Sequence, residues 1–218
     1  PIKEIEREKL SKPENAFAQE YMADFRKREG LIYKEFDRNI HLFDDDTERR
    51  EVVLSLQGID WGYVHSAVVL YIEKTSDEHY WVMDEWSHKG KTDDETVSYA
   101  SGKKANKTYP DPENAQAVEK ARRAGLNVCE VVKGKGSIDS GVDTVRELFK
   151  QGRLHVHKRC LKLISALEVW AYIDDTDKYS EEGKDENDAL RYPLMMEAHN
   201  VYVYSPDEEF NLYDSNFG

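Results

Sequence analysis

The chain is poor in cysteine, with only Cys129 and Cys160 in 218 residues. Two cysteines at no framework spacing exclude a disulfide scaffold and suit a reducing compartment. Long apolar runs are also missing, and none approaches the ~20 residues of a membrane span. Lys3, Glu4, Glu6, Arg7 and Glu8 make the start charged, so no secretory signal is expected there. Position 1 is proline rather than methionine, which reads as a processed or cloned fragment. Internal repeats, low-complexity tracts and a Walker A pattern are absent from the sequence. Positive charge is scarce, with 31 Lys and Arg against 44 Asp and Glu, a net charge of −13. That disfavours a general nucleic-acid coat, although local patches govern docking and acidic clusters hold metal ions.

What is present is apolar material for one core beneath a charged surface: 39% hydrophobic residues against 34% charged ones. The densest stretch is Val52-Val53-Leu54-Ser55-Leu56, then Gly58-Ile59-Asp60-Trp61-Gly62, then Ala67-Val68-Val69-Leu70-Tyr71-Ile72. Short β-branched runs bounded by glycine read as buried strands. Asp60 ends the first of them. A carboxylate in an apolar sheet costs several kcal/mol unless it is paired or bound to a metal. A lone D-x-G is a weak signal, and a carboxylate capping a turn explains it equally well.

The rest of the chain predicts an α/β fold. Residues 78–86 alternate as a third strand, and Thr92-Asp93-Asp94-Glu95 is a capping box that opens a helix. Helices are expected over 115–124, ending at Gly125, and over 138–151, 160–173 and 187–198. Strands are expected over 126–132 and 154–157. Three strands with short links followed by strand–helix alternation imply a mixed sheet, antiparallel at first and then parallel, flanked by helices. Residues 1–50 read as a linking arm, including a helix over 16–25 with Phe17, Tyr21 and Phe25 on one stripe. Residues 51–200 read as the domain proper and 201–218 as an aperiodic tail. Residues 174–184 read as an acidic hairpin or loop.

Two further carboxylates stand where they can meet Asp60. Asp111 lies between Pro110 and Pro112 after a short apolar stub, at the carboxyl end of a strand. Such ends line the ligand crevice of open α/β sheets. An ordinary N-cap explains Asp111 alone. Asp188 sits on the last helix with Asp185 one turn earlier, so the two share a face. Dipole complementation accounts for Asp185 and Glu186 but poorly for Asp188, because Ala189-Leu190 make that face apolar. Three carboxylates from two strand ends and a helix are what a pair of divalent cations needs. Ions about 3.5–4 Å apart activate a water and stabilise the leaving oxygen of a phosphodiester.

G-I-D-W-G-Y, Y-P-D-P-E-N, V-K-G-K-G-S-I and N-D-A-L-R-Y occur in this order within residues 30–192. Together they resemble the nuclease domain of tailed-phage terminase large subunits. That resemblance implies a ribonuclease H-like fold and an endonuclease that cuts concatemeric double-stranded viral DNA during genome packaging, with two Mg²⁺ or Mn²⁺ ions. It implies Asp60, Asp111 and Asp188 as catalytic metal ligands, with Asp185 at an auxiliary position where relatives carry a histidine or acid. It further implies an ATPase domain outside this chain, portal and small-subunit partners, and work in the host cytoplasm at the procapsid portal. The sequence departs from the family pattern in its short strand before Asp111 and in proline at 110. A D-x-G strand turn also opens actin-like ATPases, whose further glycine-rich loops are missing here, and a non-catalytic docking module is the other alternative.

Lys133 and Lys135, between glycines, can approach a DNA backbone or belong to a solvated turn, with equal force. Arg146, Lys150, Arg153, Lys158, Arg159 and Lys162 form the one basic region, which can border DNA or balance the acidic loop. His155-x-His157-x-x-Cys160 has no fourth ligand for zinc. Glu85 reads as a neighbour of Asp60, and the four tryptophans read as core.

Overall fold

A computed structural model of the chain describes residues 30–173 and 178–198. The expected helix over 16–25 and the tail over 201–218 lie outside the described residues. The elements, in order, are α1 (Arg38–His41), β1 (Leu42–Phe43), β2 (Val52–Asp60), β3 (Ser66–Thr75), β4 (Tyr80–Lys89) and α2 (Asp93–Lys103). They continue as β5 (Lys107–Pro110), α3 (Ala115–Arg123), α4 (Ser137–Lys150), β6 (Leu154–His157), α5 (Leu161–Val169) and α6 (Lys184–Ala198). One six-stranded sheet runs in the order β1-β6-β4-β3-β2-β5. The β2–β3 and β3–β4 pairs are antiparallel, and the β1–β6, β4–β6 and β2–β5 pairs are parallel. This is the mixed sheet that the sequence predicts.

Strand alternation sorts the two faces. Leu56, Val68, Leu70, Ile72 and Tyr109 belong to the larger core, which α4, α5 and α6 cover. Ile59 and Val69 point the other way, into a small cluster with Ala100 of α2. Gln57 shares that second face and donates from Nε2 to Ala100 O at 2.9 Å. The predicted capping box closes the start of α2, with Thr92 accepting from Glu95 N and Glu95 accepting from Thr92 N.

One expected strand is missing. Residues 126–132 form no strand; the run makes only a parallel bridge at Val128 to Thr108. Two hydrogen bonds join it to β5, Thr108 N to Asn127 O and Cys129 N to Thr108 O, and the chain then turns into the glycine-hinged loop. The described part of the expected arm, residues 30–50, packs on the domain. Ile32 and Tyr33 are buried, Ile32 N donates to Trp170 O, and β1 extends the sheet beside β6. His41 is buried too, its Nε2 2.9 Å from Phe149 O at the end of α4. Residues 174–177 lie outside the described residues, and their flanks meet in an antiparallel bridge between Tyr172 and Tyr179.

Candidate metal centre

The site follows from strand parity. Leu56, Gly58 and Asp60 alternate on the face of β2 that α6 covers. Tyr109 and Asp111 alternate on the same face of the neighbouring strand. β2 and β5 are parallel with Ile59 opposite Pro110, and Asp111 N donates to Ile59 O at 2.8 Å. The two carboxylates therefore leave the sheet side by side at the same end.

Helix α6 closes over them because Gly58 lets it. A Cβ built on Gly58 would lie 1.8 Å from Ala189 O. Pro193, four residues on, has no N–H to offer that carbonyl, so Ala189 O lacks its intrahelical donor and rests on the glycine. The next residue back is Asp188, which the same contact brings over Asp60. Asp185, one turn earlier, accepts from Ser66 N at 2.9 Å and ties α6 to the start of β3.

The four acids are electrostatic neighbours. Burial pushes the Asp60 carboxyl up to about 9, and Asp188, Asp111 and Asp185 add to that push, with Lys133 opposing it. Among the described residues, Asp60 has neither a hydrogen-bond donor nor an ion-pair partner. Burial also raises Asp188, against the pull of the Arg191 guanidinium, whose Nη2 donates to Asp188 Oδ1 at 2.8 Å. Burial pushes Asp111 upward as well, but Lys133, the Glu113 amide and Tyr192 outweigh it and hold its carboxyl below the usual range. Lys133 Nζ stands 2.8 Å from both Asp111 oxygens and 3.0 Å from Glu113 Oε1, and the Tyr192 hydroxyl donates to Asp111 Oδ2 at 2.8 Å.

As they stand, no three acidic, histidine or cysteine side chains among the described residues are gathered to hold one ion. Asp111 is engaged by Lys133 and Tyr192, and Asp188 by Arg191. The donor set nonetheless suits a hard divalent cation, being all carboxylate and centred on a buried acid without a counter-charge.

Of the other candidates, some stand as the sequence reads them and others do not. Lys133 faces Asp111 rather than solvent, whereas Lys135 is exposed. Glu85 accepts from Lys162 N and Leu163 N at 2.8 Å, capping α5 instead of approaching Asp60. The basic region is answered by partners of its own: Arg146 by Glu35, Lys158 by Asp44, Arg159 by Asp45, and Arg153 by Glu78 O. His155 stacks on Trp81 with centroids 4.0 Å apart and meets His79, while His157 meets Arg159, so the pair does not converge as zinc ligands would. Trp170 and Trp81 are core, and Trp61 is half-buried with its Nε1 donating to Asp111 O. Sequence reasoning missed Arg191 and Tyr192 as site residues. Their spacing of three and four from Asp188 was the available signal.

The mixed sheet in this strand order with its flanking helices is a ribonuclease H-like fold. No protein-family profile matches the chain. It is 30% identical over 211 residues to the terminase large subunit of Escherichia phage T5, covering 88% of this chain and 48% of that protein. The fold matches the large terminase of thermophilic bacteriophage D6E in complex with ATP-γ-S (TM-score 0.67, 17% identity, 76% of this chain and 45% of that one). It matches the P22 large terminase nuclease domain with TM-score 0.65 and 18% identity, over 77% of this chain and 92% of that one. The large terminase nuclease of thermophilic phage G20c, solved with bound magnesium, matches with TM-score 0.56 and 13% identity over 76% of this chain and 95% of that one. The same nuclease is also known with bound cobalt. This chain is a terminase large-subunit homologue with the fold of the large-terminase nuclease domain, and it spans about half the length of the curated relative it matches. No helix among the described residues is long and apolar enough to cross a membrane.

Proposed function

We propose that the chain is a divalent-cation-dependent endonuclease that cuts concatemeric double-stranded viral DNA during genome packaging. Asp60, Asp111 and Asp188 would hold Mg²⁺ or Mn²⁺, two ions by family likeness, with the second oxygen of Asp185 at the margin. When bound, the ions supply charge stabilisation at the phosphoryl group and an activated water. The chain's own part is positional. β2 and β5 fix Asp60 and Asp111 side by side, and α6 delivers Asp188. Arg191 and Lys133 offset the repulsion among the acids, and Tyr192 orients Asp111. The observation that carries the reading is Asp60, a carboxyl beside three other acids with no ion-pair partner among the described residues, pushed up to about 9 by burial first and then by those acids.

The bound magnesium and cobalt of the G20c nuclease support the cation class. The half-length match to the T5 subunit and the ATP-γ-S complex of the D6E large terminase support an ATPase domain joined to this one in the whole protein. By family likeness alone, that protein would act with portal and small subunits in the host cytoplasm. The test is nicking of supercoiled plasmid in Mn²⁺ and in EDTA. Wild type should nick only with the metal, and Asp60→Asn should not nick at all. Cleavage by Asp60→Asn at the wild-type rate would refute the assignment.

A further inference from the structure

The loop from β2 to β3, residues 61–65, stands immediately beside the acids, and its base is fixed at four points. Trp61 Nε1 donates to Asp111 O at 2.9 Å, Gly90 N donates to Tyr63 O at 2.8 Å, and Ser66 N donates to Asp185. Gly62 lies so close to Ser66 that an added Cβ would be 2.4 Å from Ser66 O. The tip is the opposite: Tyr63 is 66% exposed and Val64 81%, the highest exposure of any large hydrophobic among the described residues. Across the site, Val132, next to the lysine on Asp111, is 62% exposed. An acidic centre thus carries an apolar rim, with the tighter, better-anchored part on the β2–β3 side.

Resting on the nuclease reading, we propose that the Tyr63–Val64 tip is an apolar wedge that enters the minor groove of a DNA duplex and seats one strand over Asp60, Asp111 and Asp188. The partner is set by continuity, because a phosphodiester brought to those carboxylates carries its duplex past this loop. The groove is set by size: a two-residue tip fits a slot about 6 Å wide, whereas the major groove admits a helix. The need is set by charge. With a net charge of −13 the chain has little of the phosphate attraction that drives most DNA binding. Apolar side chains that part a base step supply grip without it.

The test uses the whole chain with Tyr63→Ala/Val64→Ala, two exposed positions whose truncation leaves the core intact. Binding is read in Ca²⁺ by anisotropy on a duplex of about 20 base pairs, two helical turns, and on one of its strands alone. The duplex should bind about tenfold more weakly or worse. Single-strand binding and the Mn²⁺-induced rise in melting temperature should stay as in wild type. Unchanged duplex affinity overturns the proposal, as does an equal loss on the single strand, which would mean stacking on unpaired bases. Loss of the Mn²⁺ response also overturns it, by making the tip part of the cation site. Because binding is read without turnover, a wild type that grips the duplex through the tip yet never nicks in Mn²⁺ supports the wedge and removes the nuclease reading alone.

Discussion

Replacing Gly58 by alanine tests whether one backbone contact sets both the fold and the site. The new methyl would lie 1.8 Å from Ala189 O, 2.9 Å from Ala189 C and 2.8 Å from the Pro193 ring. A carbon and a carbonyl oxygen approach to about 3.3 Å at closest, so α6 must retreat from β2 by about 1.5 Å. Overpacking typically costs about 1–3 kcal/mol. Here the obstacle is main chain on both sides, with no flexible side-chain end to yield, so about 3 kcal/mol or more is expected. That is a large share of a domain stability of about 5–15 kcal/mol. Asp188 adjoins Ala189 and moves with it. A misplacement of about 1 Å at a reacting centre can cost about 100-fold in rate. Urea unfolding followed by circular dichroism reads the first effect, and Mn²⁺-dependent plasmid nicking reads the second. A Gly58→Ala protein that unfolds at the wild-type midpoint and nicks at the wild-type rate would refute the reasoning. A variant that loses stability but nicks at the wild-type rate would show that Asp188 is placed by something other than this contact.

Without metal, Asp60→Asn should be more stable than wild type at pH 7. The folded carboxyl titrates near 9 against an ordinary 3.8, so the penalty is absent below pH 4 and grows as pH rises, reaching up to about 4 kcal/mol at neutrality. Thermal melts in EDTA across this range check it, and a less stable Asp60→Asn would contradict it. Arg191→Met should cost about 3–5 kcal/mol by stranding Asp188, and Asp188→Asn in the same chain should recover much of the loss, measured by a double-mutant cycle. His155 is held down to about 4 by burial, then by His79 and His41, so its stabilising effect is complete above pH 6.5 and is lost as pH falls toward 4. Allowing for its partial exposure, His155→Gln should remove about 1–2 kcal/mol of the acid-limb slope. An unchanged acid limb would refute that origin.

The sheet, its mixed pairing and the helices were legible in the sequence because their cause is local. β-branched runs make β2 and β3, and a capping box starts α2. Residues 126–132 misled for the same local reason: their composition suits a strand, but pairing with β5 stops after the two hydrogen bonds at Thr108. The positions of Asp60, Asp111, Asp188 and Asp185 were legible only as types of residue at element ends. What brings them together is non-local. Gly58 and Pro193 lie 135 residues apart and act as one device, the proline freeing a carbonyl that the glycine leaves room for. Arg191 is hidden for a similar reason, since it needs Gly141 of α4, where an added Cβ would lie 2.4 Å from its Cγ.

Lys133 shows how far a single residue's meaning depends on that assembly. Between glycines in a −13 chain it reads as a cation reaching for phosphate, yet its ammonium is shared between Asp111 and Glu113 and lies 5.2 Å from the Tyr192 ring centre. Burial lowers its proton affinity, and the two carboxylates more than restore it, so it is a fixed positive charge at neutral pH. A fixed cation on Asp111 and another on Asp188 leave Asp60 as the acid with no charge of its own to lean on. An added divalent ion therefore gains most at Asp60, and this is why substitution there, rather than at Asp111, is the sharpest test of whether the cluster binds metal at all.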